Sequence, residues 1–172
     1  MSGPRPRRPR PALEARAAAA PPPPPVEGGG LPFLLDFLPR QGESDTRLSR
    51  FYARLRDGRL STTRCPRDRL LTWPPRTVCP RCHTGDLDWV DLPSTGRLYA
   101  FSAVLAGAPL GMENDVPFAV GLVDLDGVPL RLFGRVVGRP WNELSVGDAV
   151  EVETYAAPDG RQFYRFRAGG RS

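Results

Sequence analysis

Cys65-Pro-Arg-Asp68 and Cys79-Pro-Arg-Cys82, ten residues apart, are the part of this chain whose residue types and spacing could do chemistry. In each four-residue knuckle the backbone curls so that the first and fourth side chains aim at one spot. Two knuckles supply four donors, the number that suits tetrahedral zinc. The layout is that of a zinc ribbon with one departure, because Asp68 stands where a ribbon has its second cysteine. A carboxylate oxygen can ligate zinc, so the expected ligands are Cys65, Asp68, Cys79 and Cys82. Two alternatives stay open. His83, the chain's one histidine, follows Cys82 and is a spare donor, although adjacent residues rarely both reach one ion. The site could also have decayed to a metal-free loop pair with three thiols, since cysteine is often buried without a role and an odd count gives no disulfide framework. Three sulfurs and a carboxylate would make a closed, structural shell, whereas catalytic zinc keeps a position open.

The remaining inventory argues against catalysis by this chain alone. All 24 lysine-plus-arginine cations are arginine, which removes Schiff-base chemistry and any lysine nucleophile. A Ser-His-Asp or Cys-His mechanism would have to use His83, beside the knuckle. The basic balance is also local. Residues 1–16 hold five arginines and one glutamate, so they carry +4 of the chain's +5 and leave +1 for residues 17–172. A nearly neutral folded part weakens a nucleic-acid reading, because counterion release needs clustered positive charge.

The elements that must position the knuckles read as follows. Residues 1–30 are rich in proline, alanine, arginine and glycine and are expected to be a disordered tail. Its prolines forbid the amphipathic helix of an import signal, and no apolar segment follows its arginines as in a secretory signal. Residues 31–58 hold an apolar segment, Leu31 to Pro39, and then a helix predicted over 44–58. Ser44 or Asp45 would cap that helix, Leu48, Phe51, Tyr52 and Leu55 would form one face, and Gly58 would end it. The apolar segment fits either a partner or the protein's own core. Residues 59–93 are the ribbon. From Gly96 the period changes to two, and five strands are predicted near 97–105, 118–125, 130–137, 149–155 and 163–167, with a longer loop at 107–117. Five short strands with tight turns over 94–170 suit a small closed barrel of the OB type. The fold class is therefore mainly β: a helix, a rubredoxin-like zinc ribbon and an OB barrel. Phe101, Phe118 and Phe133 are read as core, and Arg131 and Arg135 share a strand face.

The ordered set resembles a known family. It consists of Phe51-Tyr52 and Gly58-Arg-Leu60, then Trp73-Pro-Pro-Arg76 before the second knuckle. Gly96-Arg-Leu-Tyr-Ala-Phe101, Pro117 to Leu125, and Leu144-Ser-Val-Gly147 before Val150-Glu-Val152 complete it. This is similar to the zinc-ribbon plus OB-fold proteins that accompany thiolase-like enzymes, domain of unknown function number thirty-five, over residues 46 to 168. The resemblance implies a non-catalytic accessory subunit of an acyl-CoA-processing complex. Its partner would be a thiolase-like protein (thiolase, acyltransferase or retro-aldolase), and the OB domain would help hold coenzyme A. By motif position it assigns structural zinc to Cys65, Cys79 and Cys82, with Asp68 as the departure. Arginine forks match phosphate oxygens, and Arg97, Arg131 and Arg135 lie on or beside barrel strands where a coenzyme A thioester could meet them. The alternative is a stand-alone OB barrel that binds single-stranded nucleic acid. No stretch is long and apolar enough to span a membrane, and thiolate ligands without a disulfide pattern fit a reducing cytoplasm.

Overall fold

The computed structural model describes residues 40–107, 115–157 and 160–169. The tail, the apolar segment 31–39 and most of the 107–117 loop lie outside the described residues. Helix α1, Ser49–Arg56, forms where the apolar stripe falls, and it buries Phe51 and Leu55. It starts five residues later than the sequence predicts. The Gly42 carbonyl accepts the N–H groups of Asp45 and Thr46, which turns the chain, and Thr46 Oγ1 accepts the Leu48 N–H at 3.1 Å. Thr46 thus bonds the residue before the helix, and Leu48, the N-cap, carries no side-chain cap bond, so neither Ser44 nor Asp45 caps α1. Gly58 ends the helix as expected, at φ +77°, where a side chain would be strained.

The ribbon is built on a small antiparallel sheet that the apolar pattern did not reveal. Strand β1, Ser61–Arg64, lies between β2, Leu71–Thr72, and β3, Asp88–Asp91. Its centre is polar yet buried: Ser61, Thr62 and Thr63 are all inside. Burial is tolerated where hydroxyls find partners. Thr62 Oγ1 donates to the Thr72 carbonyl, and Thr63 Oγ1 accepts the Arg76 N–H at 3.0 Å. Arg54 reaches from α1 to Asp91 on β3 and keeps only 16% exposure.

Strands β4 (Thr95–Val104), β5 (Phe118–Leu125), β6 (Arg131–Val137), β7 (Ala149–Ala156) and β8 (Gln162–Ala168) close in the order β4-β5-β6-β8-β7. β7 returns to β4, and the β6–β8 pair is parallel. This is the OB barrel expected from the sequence. Leu98, Val123, Leu132, Val136, Val150 and Phe166 fill it, and Phe51, Leu55, Leu60 and Leu92 join the same cluster. Gly121 and Gly134 are cross-strand partners facing that core. A Cβ at Gly121 would lie 2.7 Å from Leu98 Cδ1, and one at Gly134 2.8 Å from Phe166 Cε2.

Strict alternation along β4 fails at Tyr99. A bulge between Leu98 and Ala100 inserts Tyr99 into the ladder, so Leu98 pairs with Val123 and Phe101 with Gly121. Leu98 and Phe101 thus face inward together, while Tyr99 turns out and is 49% exposed.

Edge-to-face aromatic contacts join the ribbon to the barrel. Trp73, two residues past Leu71, lies 6.0 Å from Phe51 and 5.6 Å from Tyr164, and Tyr164 lies 5.7 Å from Phe166. Burial pushes the Tyr164 phenol up to about 12, and its O–H donates to the Phe133 carbonyl at 2.5 Å.

On the β7–β8 surface Glu153 accepts from both Arg165 and Arg167 at 2.8–3.1 Å. Arg165 first, then Arg167, holds its carboxyl at about 2 against an ordinary 4.5. A depressed folded value stabilises the fold above the unfolded value, and that stability is lost as pH falls through the folded one. Urea unfolding across pH should therefore find Glu153→Gln less stable than the parent at neutral pH. The gap should close as pH falls from the ordinary carboxylate range toward about 2. A gap that ignores pH would show that the pair does not govern this limb.

Candidate metal centre

Each knuckle closes on its own backbone, and the two close alike. In the first, Cys65 N–H donates to the Leu70 carbonyl and Arg69 N–H to the Cys65 carbonyl; in the second, Cys79 N–H donates to Thr84 and His83 N–H to Cys79, all at 2.9–3.0 Å. The fifth residue of each, Arg69 at φ +55° and His83 at φ +58°, takes the left-handed region. His83 is thus the turn residue of the second knuckle, exposed, as Arg69 is of the first. Amide N–H groups aim at sulfur in both: Asp68 N–H at Cys65 Sγ, 3.4 Å, and Arg81 N–H at Cys79 Sγ, 3.5 Å.

The curl brings one donor atom from each of Cys65, Asp68, Cys79 and Cys82 within 4.8 Å of the others. Among the described residues this is the one such group, and His83 is not in it. Cys65 Sγ lies 3.5 Å from Cys82 Sγ, and Asp68 Oδ2 lies 3.4 Å from Cys79 Sγ and 3.8 Å from Cys65 Sγ. A zinc tetrahedron with Zn–S of about 2.3 Å and Zn–O of about 2.0 Å has edges of roughly 3.5–3.8 Å. The donor set and its spacing therefore fit the ion. Cys65 and Cys79 are buried, and Cys82 and Asp68 half-buried.

The four groups also perturb one another. The Asp68 N–H draws the Cys65 thiol down, and the Cys82 thiol, chiefly, holds the Asp68 carboxyl below its usual range. The Thr84 N–H favours the Cys82 thiolate, yet burial and the neighbouring Cys65, Asp68 and Cys79 outweigh it and push that thiol up to about 11. Asp68 is the acceptor of the group, facing the Cys65 and Cys79 thiols.

The three strand arginines do not converge. Arg97 and Arg131 both lie opposite Asp124 on β5. Arg131 grips Asp124 at 2.6 and 2.9 Å and lies over the Tyr99 ring, 3.2 Å from its centroid. Arg97 donates to the Gly147 carbonyl at 3.2 Å. Arg135 is further along β6, bonded to Asp115 at 2.5 Å and stacked on Phe118. Carboxylates thus neutralise two of the three.

Between these pairs the outward face of β4–β6 is apolar. Ala100, Leu122 and Phe133 form one row across it, and Ser102 and Val120 lie in the next. Phe118 is buried and Phe101 is packed on the core, as expected, but Phe133 is 59% exposed. The signal was in the sequence: a residue between Arg131 and Arg135 at period two must share their face.

Comparison with known proteins places these parts. Residues 53–88 match the ChsH2 rubredoxin-like zinc ribbon domain, and residues 89–154 the ChsH2 C-terminal OB-fold domain. The chain is 32% identical over 119 residues to the benzoylsuccinyl-CoA thiolase subunit BbsA of Thauera aromatica, covering 64% of this chain and 79% of that protein. It is 31% identical over 96 residues to a probable enoyl-CoA hydratase alpha subunit of Thermomonospora curvata, covering 55% of this chain and 29% of that protein. It thus spans less than a third of that relative. Among solved structures it is similar to a chain of the Ltp2-ChsH2(DUF35) aldolase, with TM-score 0.62 and 26% identity over 72% of this chain and 95% of that one. A DUF35-family protein of unknown function from Sulfolobus solfataricus shares the fold, with TM-score 0.50 and 14% identity over 70% of this chain and 84% of that one.

Proposed function

Because the chain belongs to the ChsH2-type zinc-ribbon and OB-fold family, DUF35, we propose that it is a non-catalytic accessory subunit of an acyl-CoA-processing complex with a thiolase-like partner. The partner supplies the nucleophile and the acid–base groups. The named roles of BbsA, a thiolase subunit, and of the Ltp2-ChsH2 aldolase support this reading. The observation that carries it in this chain is the exposed apolar face of β4–β6, with Phe133 and Tyr99 exposed on it beside Ala100, Val120 and Leu122 and its flanking Arg131 and Arg135 already neutralised. An apolar centre with a charge-balanced rim is the anatomy of a protein interface, and it lacks the basic groove that single-stranded nucleic acid needs.

The ribbon holds a structural zinc through Cys65, Asp68, Cys79 and Cys82, where the ion supplies a cross-link between the knuckles and no open coordination position. Coenzyme A is held jointly with the partner. Arg97, anchored by a carbonyl and not by a carboxylate, keeps charge for a phosphate, whereas Arg131 and Arg135 are occupied by Asp124 and Asp115.

The test is co-expression of the full chain with the thiolase-like proteins of the same organism, followed by affinity capture and zinc analysis. The expected result is a stable complex with about one zinc per copy of this chain, weakened by Phe133→Asp while the chain stays folded. A chain that remains alone with every such protein overturns the reading.

A further inference from the structure

Five arginines of the barrel are matched by carboxylates: Arg131 by Asp124, Arg135 by Asp115, Arg139 by Asp148, and Arg165 and Arg167 by Glu153. Arg97 is held by the Gly147 carbonyl, and in the ribbon Arg59 and Arg64 reach Asp91 and Asp88. The arginines at the knuckle end of the ribbon are not so held. Arg67, Arg69, Arg76 and Arg81 are exposed, and among the described residues no side-chain hydrogen bond or ion pair holds them. They are also close together in the fold. Arg67 and Arg69 flank Asp68, Arg81 lies between Cys79 and Cys82, and the donor atoms of those three residues fall within 4.8 Å of one another. Arg76 is tied to the same end by its N–H bond to Thr63.

The metal centre does not absorb this charge. A dication with three thiolates and one carboxylate has two negative charges, and four guanidiniums exceed them by two. The surface at the knuckles offers Val78, 41% exposed, and the His83 imidazole, but no large aromatic ring, because Trp73 is packed on Phe51 and Tyr164. A run of bases has no row of rings to stack on there. Free guanidinium forks are matched by carboxylates in bidentate geometry.

We propose that the knuckle end of the ribbon, through Arg67, Arg69, Arg76 and Arg81, is an electrostatic docking surface for an acidic face of the partner protein. This rests on the accessory-subunit reading and adds a second, charged contact to the apolar barrel face. Charges at the edge of an interface act mainly by steering encounter, so their mark is on the association rate and its salt dependence.

The experiment measures association of the zinc-loaded full chain with the co-purified thiolase-like partner over a range of sodium chloride. Three forms are compared: the parent, a variant with all four arginines changed to glutamine, and a variant with all four changed to lysine. Zinc content and thermal unfolding are recorded for each. The parent rate should fall steeply with salt. The glutamine variant should associate about tenfold or more slowly at low salt and respond little to salt, and the lysine variant should keep the salt response. Equal rates and salt slopes for parent and glutamine variant overturn the docking surface while leaving the complex intact. A parent rate indifferent to salt overturns it without reference to any variant. Salt-sensitive retention on a single-stranded oligonucleotide, with no partner association at low salt, overturns both the surface and the reading beneath it.

Discussion

Asp68→Ala is expected to strip the ribbon of zinc under chelator concentrations that leave the parent loaded. Asp68 is the weakest point of the proposed shell by chemistry, and its Oδ2 is the atom that closes the group, 3.4 Å from Cys79 Sγ and 3.8 Å from Cys65 Sγ. Removing even an outer partner of a metal ligand lowers affinity by about 10–100-fold, so loss of a direct ligand should cost at least about 100-fold. Asp68→Cys should act in the opposite direction and slow release, because a thiolate is the stronger zinc donor and the curl that aims position 68 comes from the backbone. The knuckles contain strained turns at Arg69 and His83, and metal binding energy is folding energy in such modules. Zinc loss should therefore loosen β1–β3 and leave the barrel, with its own core, folded. Competition with a chelator, followed by metal analysis and amide exchange, reads both effects. If Asp68→Ala held zinc as tightly as the parent, Asp68 would not be a ligand and three sulfurs would suffice.

Phe166→Ala should be the most damaging change in the barrel, at about 3–5 kcal/mol. The ring is fully buried, packs against Tyr164, and occupies the space that Gly134 leaves by lacking a Cβ. Its backbone pairs with Val136 in the parallel β6–β8 closure, so the cavity would open at the seam. Gly134→Ala should cost about 1–3 kcal/mol for the opposite reason, since its new Cβ would meet Phe166 at 2.8 Å. Because the two residues touch, the double variant should cost less than the two losses together. Denaturant melts of the four proteins close the cycle. Strict additivity would mean that the glycine answers to something other than the ring.

The two knuckles show why part of the site was legible early. A donor, two residues and a second donor form a local arrangement, and so does the left-handed residue that follows it. The sequence holds everything needed to aim Cys65 with position 68, and Cys79 with Cys82. The strands were legible for the same reason, as alternation and turn residues act over a few positions. The small ribbon sheet was not, because Ser61, Thr62 and Thr63 of β1 are polar yet buried, and the two threonine hydroxyls find their partners ten or more residues away, at Thr72 and Arg76.

What the sequence by itself determined is therefore the order of parts, the donor types at the candidate metal centre, the barrel class and the near-neutral charge of residues 17–172. Tertiary structure decided which side chains those parts leave exposed and which it pairs. Tyr99 turns outward because a bulge opposite β5 admits one extra residue. Most barrel arginines are neutralised because carboxylates on other strands or loops reach them, as Glu153 on β7 reaches Arg165 and Arg167, while Arg97 meets a carbonyl. Arg67, Arg69, Arg76 and Arg81 at the knuckles have no such ion pair among the described residues, whereas Arg64 on β1 reaches Asp88 on β3. Each of these outcomes depends on residues that are distant in the chain and close in space, and local spacing carries no information about them.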